Sequence, residues 1–134
     1  MANKKRVEYV WLDGKHPLPQ LRSKTRFVDI QDGVPNWNFD GGSTEQGDLL
    51  DSDRCLVPVR AYKDPFNEGG LMVMCEVEYH TGVAHESNSR KHLSDLMAKS
   101  VEREYVTGME QEFTFINPAN MEPLGLLLSP QAQG

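Results

Sequence analysis

One aspartate, Asp40, follows two aromatic residues and precedes two glycines in the stretch WNFDGGST, residues 37–44. Asp-Gly pairs are frequent in tight hairpin turns, because Asp tolerates unusual backbone angles and glycine adopts positive φ without strain. The simplest interpretation of this stretch is therefore a turn. The alternative is a functional acid, since the same glycines let a backbone approach a ligand closely.

Two glutamates, Glu110 and Glu112, are spaced two residues apart in GMEQEFTF, residues 108–115. In a β-strand this spacing places both carboxylates on one face, where their like charges repel unless a cation compensates. Mg²⁺ binds carboxylate oxygens and keeps coordination positions for water and phosphate. A polar strand face in water explains the same spacing, and the residues alone leave both interpretations open.

The other reactive residue types show no pattern that is typical of a site. Cys55 and Cys75 lie in separate apolar segments without C-x-x-C spacing. We therefore expect two small buried side chains in a reducing compartment. The four histidines form no H-E-x-x-H or zinc-finger pattern, and the sequence contains no phosphate-loop or dinucleotide-binding fingerprint.

Four apolar segments of the first half have the alternation of β-strands. The first, VEYVWLD, puts Val7, Tyr9 and Trp11 on one face. In DRCLVPV, Pro58 indicates a sheet edge or a strand end, because proline has no N–H to donate. The clearest strand is LMVMCEVEY, and the fourth candidate is LRSKTRFVDI.

The periodicity changes near residue 85. Four apolar residues recur at helical spacing: Leu93, Leu96, Met97 and Val101. Ser87 or Asn88 is placed to cap the first turn of this predicted helix. One further strand is predicted over residues 106–116. The sequence thus indicates a β-rich unit that ends near residue 85 and a second unit with one helix and one strand.

The totals exclude several classes of protein. A chain of 134 residues holds one domain, or one small domain and the beginning of another. A net charge of -6 provides no basic surface for nucleic acid. No apolar run approaches the roughly 18 residues of a membrane helix, and the N-terminus lacks the apolar region of a signal peptide. We expect a cytoplasmic protein without a membrane partner.

Eight segments together resemble the eukaryotic-type (type II) glutamine synthetase family. They occur in family order and with family-like spacing over residues 6–125: EYVWLDG, LRSKTR, WNFDGGST, DSDRCLVPV, KDPF, LMVMCEV, HESNSR and GMEQEFTF. Each segment alone is weak evidence, whereas eight in register are not expected by chance.

The resemblance implies an α+β fold. A β-grasp-like N-terminal domain is expected over residues 1–85, and a truncated start of the catalytic domain, with one helix and one strand, over residues 86–134. Enzymes of this family join ammonia to glutamate at the expense of ATP, through γ-glutamyl phosphate, with Mg²⁺ or Mn²⁺ neutralising the phosphoryl charge. Their active sites lie between the subunits of a homo-oligomer.

The family's motifs also imply roles for four residues. Asp40 resembles the acid that attracts ammonium and helps to remove its proton, and Ser43 resembles a hydroxyl that lines the same pocket. Glu110 matches a ligand of the cation near the ATP phosphates. Glu112 matches a ligand of the cation near the substrate glutamate. The loop that carries Asp40 is expected to reach into the catalytic cavity of a neighbouring subunit.

The chain departs from the family pattern at two places. The family commonly has Ser where this chain has Gly42, and the segment at residues 123–134 is shortened and altered. The remaining metal ligands, the glutamate-binding residues and nearly all of the ATP site are expected beyond residue 134. We therefore expect this chain alone to be inactive as a ligase. The alternative is a stand-alone, non-catalytic interaction module that docks onto itself or onto glutamine synthetase subunits.

Overall fold

Alternation of apolar and polar residues builds the strands of the first unit. In β1 (Lys4–Leu12) Val7, Tyr9 and Trp11 are buried, as their spacing predicts. The computed structural model describes residues 4–31, 33–100 and 106–125. The chain divides into two units, residues 1–101 and residues 102–134.

Five strands form one mixed sheet in the first unit. After β1 come β2 (Leu21–Asp29), β3 (Trp37–Asp40), β4 (Asp53–Lys63) and β5 (Leu71–Glu78). Their order across the sheet is β2-β1-β5-β4-β3, with β1 and β5 parallel and all other neighbours antiparallel. The four predicted strands correspond to β1, β2, β4 and β5, whereas β3 is too short to show an alternating pattern.

The sheet is strongly curled. In a flat sheet β1 and β3 would lie about 14 Å apart, since three strand spacings separate them. Instead, the rings of Tyr9 and Trp37 lie 5.2 Å apart, and those of Trp11 and Phe39 lie 4.7 Å apart. Lys24 of β2 places its Nζ 3.8 Å from the centre of the Trp37 ring and donates to a backbone carbonyl of β3 at 2.8 Å. The two edge strands are thus brought together.

The concave face of this sheet carries the hydrophobic core. Its buried residues come from all five strands: Val7, Tyr9, Trp11, Val28, Phe39, Leu56, Val73, Cys75 and Val77. Removal of this apolar surface from water is the main favourable contribution to folding. Packing of the core fixes the positions of the strand ends from which the loops begin.

Strand β3 covers only the first part of β4. It pairs with Asp53–Leu56, so within the described chain the outer side of β4 is a free sheet edge from residue 57 onward. Pro58 lies in this part, beside a register shift between Pro58 and Arg60. Pro58 does lie at a sheet edge, as predicted. The strand does not end there, because the bulge accommodates the proline and the pairing with β5 continues.

The predicted helix is present as α1 (Ser89–Lys99). Of the two candidate caps, Asn88 is used: its side-chain oxygen accepts from Lys91 N–H at 3.1 Å. Its amide also donates to Val77 O at 2.9 Å, which fastens the start of the helix to β5. No helix in the described part of the chain is long and apolar enough to cross a membrane.

The apolar side of α1 is only partly covered. Leu93, Leu96 and Met97 share this side and are 59%, 47% and 48% exposed. Val101, the fourth residue of the predicted stripe, lies outside the described residues. The helix thus presents an apolar stripe that the described part of the first unit does not bury.

The second unit shows no regular strand within residues 106–125. One bridge joins Ile116 to Pro123 across a turn at residues 118–120, and Leu124 N–H donates to Phe115 O at 2.7 Å. The strand predicted over residues 106–116 is therefore not observed. An extended segment needs a hydrogen-bonded neighbour along its length, and these residues find one only at their end. The predicted domain boundary at residue 85 stays a prediction.

Candidate functional site

The stretch GGST folds into a single 3₁₀ turn, Gly41–Thr44, directly after β3. Asp40 precedes it and accepts a hydrogen bond from Gly42 N–H through Oδ1 at 3.0 Å. Ser43 Oγ donates to Asp40 O at 3.0 Å. Both side chains are exposed. The structure therefore brings Asp40 and Ser43 together at the start of the β3–β4 connection, with the carboxylate oriented by a backbone donor.

Asp40 and its glycines do form a turn, but this turn is not a tight hairpin between two strands. Strands β3 and β4 are antiparallel neighbours, but the whole segment 41–52 connects them. Gly41 is needed for packing, because a Cβ at this position would lie 2.9 Å from the carbonyl oxygen of Gln46. A Cβ at Gly42 would meet only Asp40 Oδ1, at 3.2 Å. The serine that the family commonly has there requires only a small shift of that oxygen.

Hydrogen bonds of Gln46, which follows this turn, and of Thr44, its last residue, join the β3–β4 connection to other parts of the first unit. Gln46 Nε2 donates to Leu12 O at 3.0 Å and to Ser87 Oγ at 2.8 Å. Gly14 N–H donates to Thr44 O at 2.8 Å. Gln46 is only 2% exposed. The loop that carries Asp40 is thus anchored to the end of β1 and to the segment that precedes α1.

The β1–β2 connection is shaped to receive this loop. A Cβ at Gly14 would lie 2.3 Å from Glu45 O, so only glycine permits this approach. Next to it the buried carboxylate of Asp13 accepts from Gln20 N–H at 2.8 Å and from Arg22 Nε at 3.0 Å. Burial alone would raise the pKa of Asp13, but its hydrogen bonds outweigh that effect and lower the pKa below its ordinary value.

His85 lies buried beside the same loop. Its Nδ1 is 2.9 Å from Ser87 Oγ and accepts from Ser87 N–H at 3.2 Å. The pKa of His85 is lowered, mainly by burial. The negative charge of Glu86 acts to raise this pKa, and the positive charge of Arg54 acts to lower it further. The imidazole is therefore neutral at pH 7 and serves as a hydrogen-bond acceptor for the segment that anchors Gln46.

A cleft of about 410 Å³ opens beside the loop. Its walls come from the β1–β2 connection, the end of the loop and the start of α1, including Lys15, Glu45, His85 and Ser89. Asp40 and Ser43 do not line this cleft. The described residues of the first unit therefore present the Asp40 carboxylate to solvent and do not enclose a reaction site around it.

Glu110 and Glu112 belong to the second unit, and both are exposed. Since residues 106–125 form no sheet around them, their predicted placement on one strand face stays a prediction. No group of three or more His, Cys, Asp or Glu side chains suited to a metal ion occurs among the described residues. Mg²⁺ with two carboxylates leaves most of its coordination to other ligands. The described residues by themselves do not form a complete metal site.

The prediction of two buried cysteines is confirmed for Cys75 and only in part for Cys55. Cys75 is buried in the core, Cys55 is half-buried, and both are free thiols. Burial raises the pKa of Cys75 to about 12, so this thiol is not a nucleophile at neutral pH.

The sequence prediction missed the residues that hold the loop in place, above all Gln46 and Gly14. Gln46 shows no local signal, because its hydrogen-bond partners lie 34 and 41 residues away along the chain. Gly14 is visible only as one more turn glycine. A close approach between distant segments is a property of the tertiary fold and leaves no periodic pattern.

Comparison with known proteins gives one consistent family. The family described as "Glutamine synthetase, beta-Grasp domain" matches residues 3–80. A glutamine synthetase of Streptomyces hygroscopicus is 39% identical over 121 residues, which are 90% of this chain and 35% of the relative. The Xenopus laevis glutamine synthetase is 38% identical, with 92% of this chain and 32% of the relative aligned.

A third relative extends the match to almost the whole chain. The glutamine synthetase of Bradyrhizobium diazoefficiens is 37% identical over 98% of this chain and 38% of its own length. The chain thus spans about a third of the length of these relatives. The family match covers β1 to β5 and includes the loop with Asp40. The chain belongs to the glutamine synthetase family, with its β-grasp domain as the matched part.

Proposed function

We propose that this chain is the N-terminal part of a glutamine synthetase and supplies the Asp40 loop to an active site that other polypeptide completes. The observation that carries the proposal is the exposed Asp40 carboxylate, oriented by Gly42 N–H on a firmly anchored loop. The Asp40 side chain is exposed and does not line the neighbouring cleft. An oriented but uncovered acid fits one half of a site between subunits of a homo-oligomer.

In the proposed reaction, ATP transfers its γ-phosphoryl group to the side-chain carboxylate of glutamate, and ammonia then displaces phosphate to give glutamine. Ammonium arrives as a cation and must lose a proton before its nitrogen can attack an activated carboxyl group. The Asp40 carboxylate attracts the cation and accepts or relays that proton. The exposed hydroxyl of Ser43 lies next to it and is suited to hydrogen-bond the same small ligand.

Glu110 and Glu112 are proposed to contribute two carboxylates to a divalent cation site that residues outside this chain complete. Mg²⁺ or Mn²⁺, when bound there, would neutralise negative charge near the ATP phosphates and the substrate glutamate. The chain alone lacks the further ligands and an ATP pocket among its described residues. We therefore propose that it is inactive as a ligase by itself and acts in the cytoplasm as part of a larger assembly.

The first experiment assays the purified chain for ATP-dependent glutamine formation from glutamate and ammonia. We expect no product above a protein-free control. Turnover of 1 to 1000 s⁻¹, the ordinary range for enzymes, would contradict the proposal. Mass spectrometry of the sample excludes contaminating full-length enzyme.

A second experiment tests the role of Asp40 directly. Residues 1–100 replace the matching N-terminal part of the Streptomyces hygroscopicus synthetase, and the chimera is assayed with ammonia as the varied substrate. Asp40→Asn keeps an acceptor for Gly42 N–H but removes the charge. We expect kcat/KM for ammonia to fall about 100-fold or more. Asp29→Asn, at an exposed aspartate outside the loop, is the matched control and should have no effect.

One observation favours the alternative of a non-catalytic interaction module. The apolar stripe of α1, formed by Leu93, Leu96 and Met97, is partly exposed and suits contact with another polypeptide. The chimera separates the two proposals. A chimera that is active, and loses activity with Asp40→Asn, supports the catalytic role. A chimera that assembles normally but is inactive supports the module.

A further inference from the structure

The loop with Asp40 owes its position to one buried side chain. Gln46 is 2% exposed, although its neighbour Glu45 is exposed. Its Nε2 donates to Leu12 O at the end of β1 and to Ser87 Oγ before α1. Through these two side-chain bonds, the segment directly after the 3₁₀ turn is linked to the body of the first unit.

The backbone of Gln46 transmits this anchoring to Asp40. Gln46 N–H donates to Gly41 O at 2.8 Å, and Gly41 N–H donates to Ser52 O at 2.7 Å. The carbonyl oxygen of Gln46 would lie 2.9 Å from a Cβ at Gly41, so the two backbones are in direct contact. Gly41 is the neighbour of Asp40. A displacement of Gln46 therefore displaces the peptide unit that carries the acid.

We propose that Gln46 is the positioning residue for Asp40: its side-chain amide fixes the 3₁₀ turn against β1 and the segment before α1, and thereby sets where the carboxylate is presented. The relevance to catalysis rests on the proposed function. The structural part of the inference, that the amide of Gln46 holds the turn, is independent of the proposed function.

The substitution Gln46→Glu isolates the two donated bonds. Glu has the same shape, and Gln46 Oε1 accepts no hydrogen bond from the described residues, so the contacts change only at the Nε2 position. An ionised Glu also brings a negative charge into this buried place, an effect that the uncharged variant Gln46→Met does not share. An ionised carboxylate cannot donate to Leu12 O, whereas a protonated one can donate a single hydrogen bond. The variant should therefore lose the anchoring when the carboxyl is ionised and regain part of it when the carboxyl is protonated.

The measurement is amide hydrogen exchange by NMR in the full chain, at pH values on both sides of the titration of the introduced carboxyl. The reporters are the N–H groups of Gly41 and residue 46, and strands β1 and β5 serve as internal reference. In the ionised variant, loss of two hydrogen bonds should lower reporter protection about 10- to 100-fold. Protonation should restore a part of it, while the reference strands change little.

Three variants serve as comparison. Gln46→Met has a similar shape but no donor, so its loss of protection should be the same at every pH. Ser87→Ala removes one of the two acceptors and should have the smaller effect. Gln31→Glu introduces the same substitution at an exposed glutamine away from the loop and should leave the reporters unchanged.

Two results would overturn the inference. One is unchanged reporter protection in ionised Gln46→Glu. The other is an equal loss in β1 and β5, which would show a general loss of stability.

In the chimera, Gln46→Glu should lower kcat/KM for ammonia with partial recovery at low pH. An inactive chimera would count against the proposed function, and the exchange data would still decide the role of Gln46.

Discussion

Gly14 is the residue at which the β1–β2 connection and the Asp40 loop come closest. A Cβ at this position would lie 2.3 Å from Glu45 O and 3.0 Å from Gln46 Cγ. We expect Gly14→Ala to lower the free energy of unfolding by about 1–3 kcal/mol, because the backbone of the loop has to move away. Urea denaturation followed by tryptophan fluorescence measures this change.

Gly108 offers the matched control for this prediction. A Cβ there meets no atom within 4 Å, and its φ is not in the positive range. Gly108→Ala should therefore alter the free energy of unfolding by less than about 0.5 kcal/mol. Equal effects of the two substitutions would show that the tight approach at Gly14 does not matter for stability.

Asp13 gives a prediction about pH at the same scale. Its pKa is lowered in the folded state, so its ionised form stabilises the fold fully above the unfolded value of about 3.9. This contribution is lost as the pH falls through the folded pKa. At pH 7 Asp13→Asn should be less stable than the parent chain, and the difference should shrink as the pH is lowered below about 4. A constant difference between pH 7 and pH 2 would contradict the assignment.

The contrast between Asp40 and Gln46 shows how far the sequence determines the site. Asp40 and its glycines form a local pattern, and the structure keeps them together where β3 ends and the 3₁₀ turn begins. Gln46 has no such pattern, because its burial depends on Leu12 and Ser87, which only the curled sheet brings near. Local chemistry is readable from the sequence, whereas the long-range contacts that position it are not.

At the scale of elements, Asn88 connects the helix to the sheet. Its side chain caps α1 and also donates to Val77 O. Asn88→Ala should cost about 1–2 kcal/mol, as is usual for the loss of an N-cap. Asn88→Asp keeps the cap but loses the bond to Val77 O, so it should have an intermediate effect of about 1 kcal/mol. Thermal denaturation by circular dichroism at 222 nm measures both.

An exposed asparagine controls for the change in side-chain volume. Asn36 lies in the connection before β3 and is exposed. Asn36→Ala should change stability by less than about 0.5 kcal/mol. If Asn88→Ala behaves in the same way, the helix start is held by contacts other than this side chain.

The strands show that a strand is easier to predict from the sequence than the strand with which it pairs. The alternation in β1 and β5 identifies both strands and their buried faces. The same alternation over residues 106–116 forms no strand in the described second unit, since a partner is available only for Ile116. Periodicity reports which face a strand would bury, but strand formation also needs a neighbour.

At the scale of the whole molecule, truncation separates the contributions of the two units. All core residues lie between Val7 and Val77, within the first unit. A chain that ends at Ser100 should therefore melt within about 2 °C of the full chain. A chain that ends at Glu86 loses the bonds to Ser87 and Asn88, worth about 2 kcal/mol together, and should melt about 10 °C lower.

These truncations also test the predicted domain boundary at residue 85. If the chain that ends at Glu86 melts like the full chain, the β-grasp unit is complete without the helix. The expected difference would instead make the first residues of the next segment part of the stable unit. Calorimetric scans at matched protein concentrations distinguish the two results.

The incomplete coverage of β4 has a consequence for how copies of this protein meet in solution. Among the described residues, no strand pairs with the outer side of β4 from residue 57 onward, and such an open edge is the usual starting point for pairing with a strand of another chain. Pro58 removes one N–H from that edge, and the positive side chains of Arg60 and Lys63 repel an identical strand. Strand pairing between two copies along this edge of β4 is therefore disfavoured, while the Asp40 loop stays accessible.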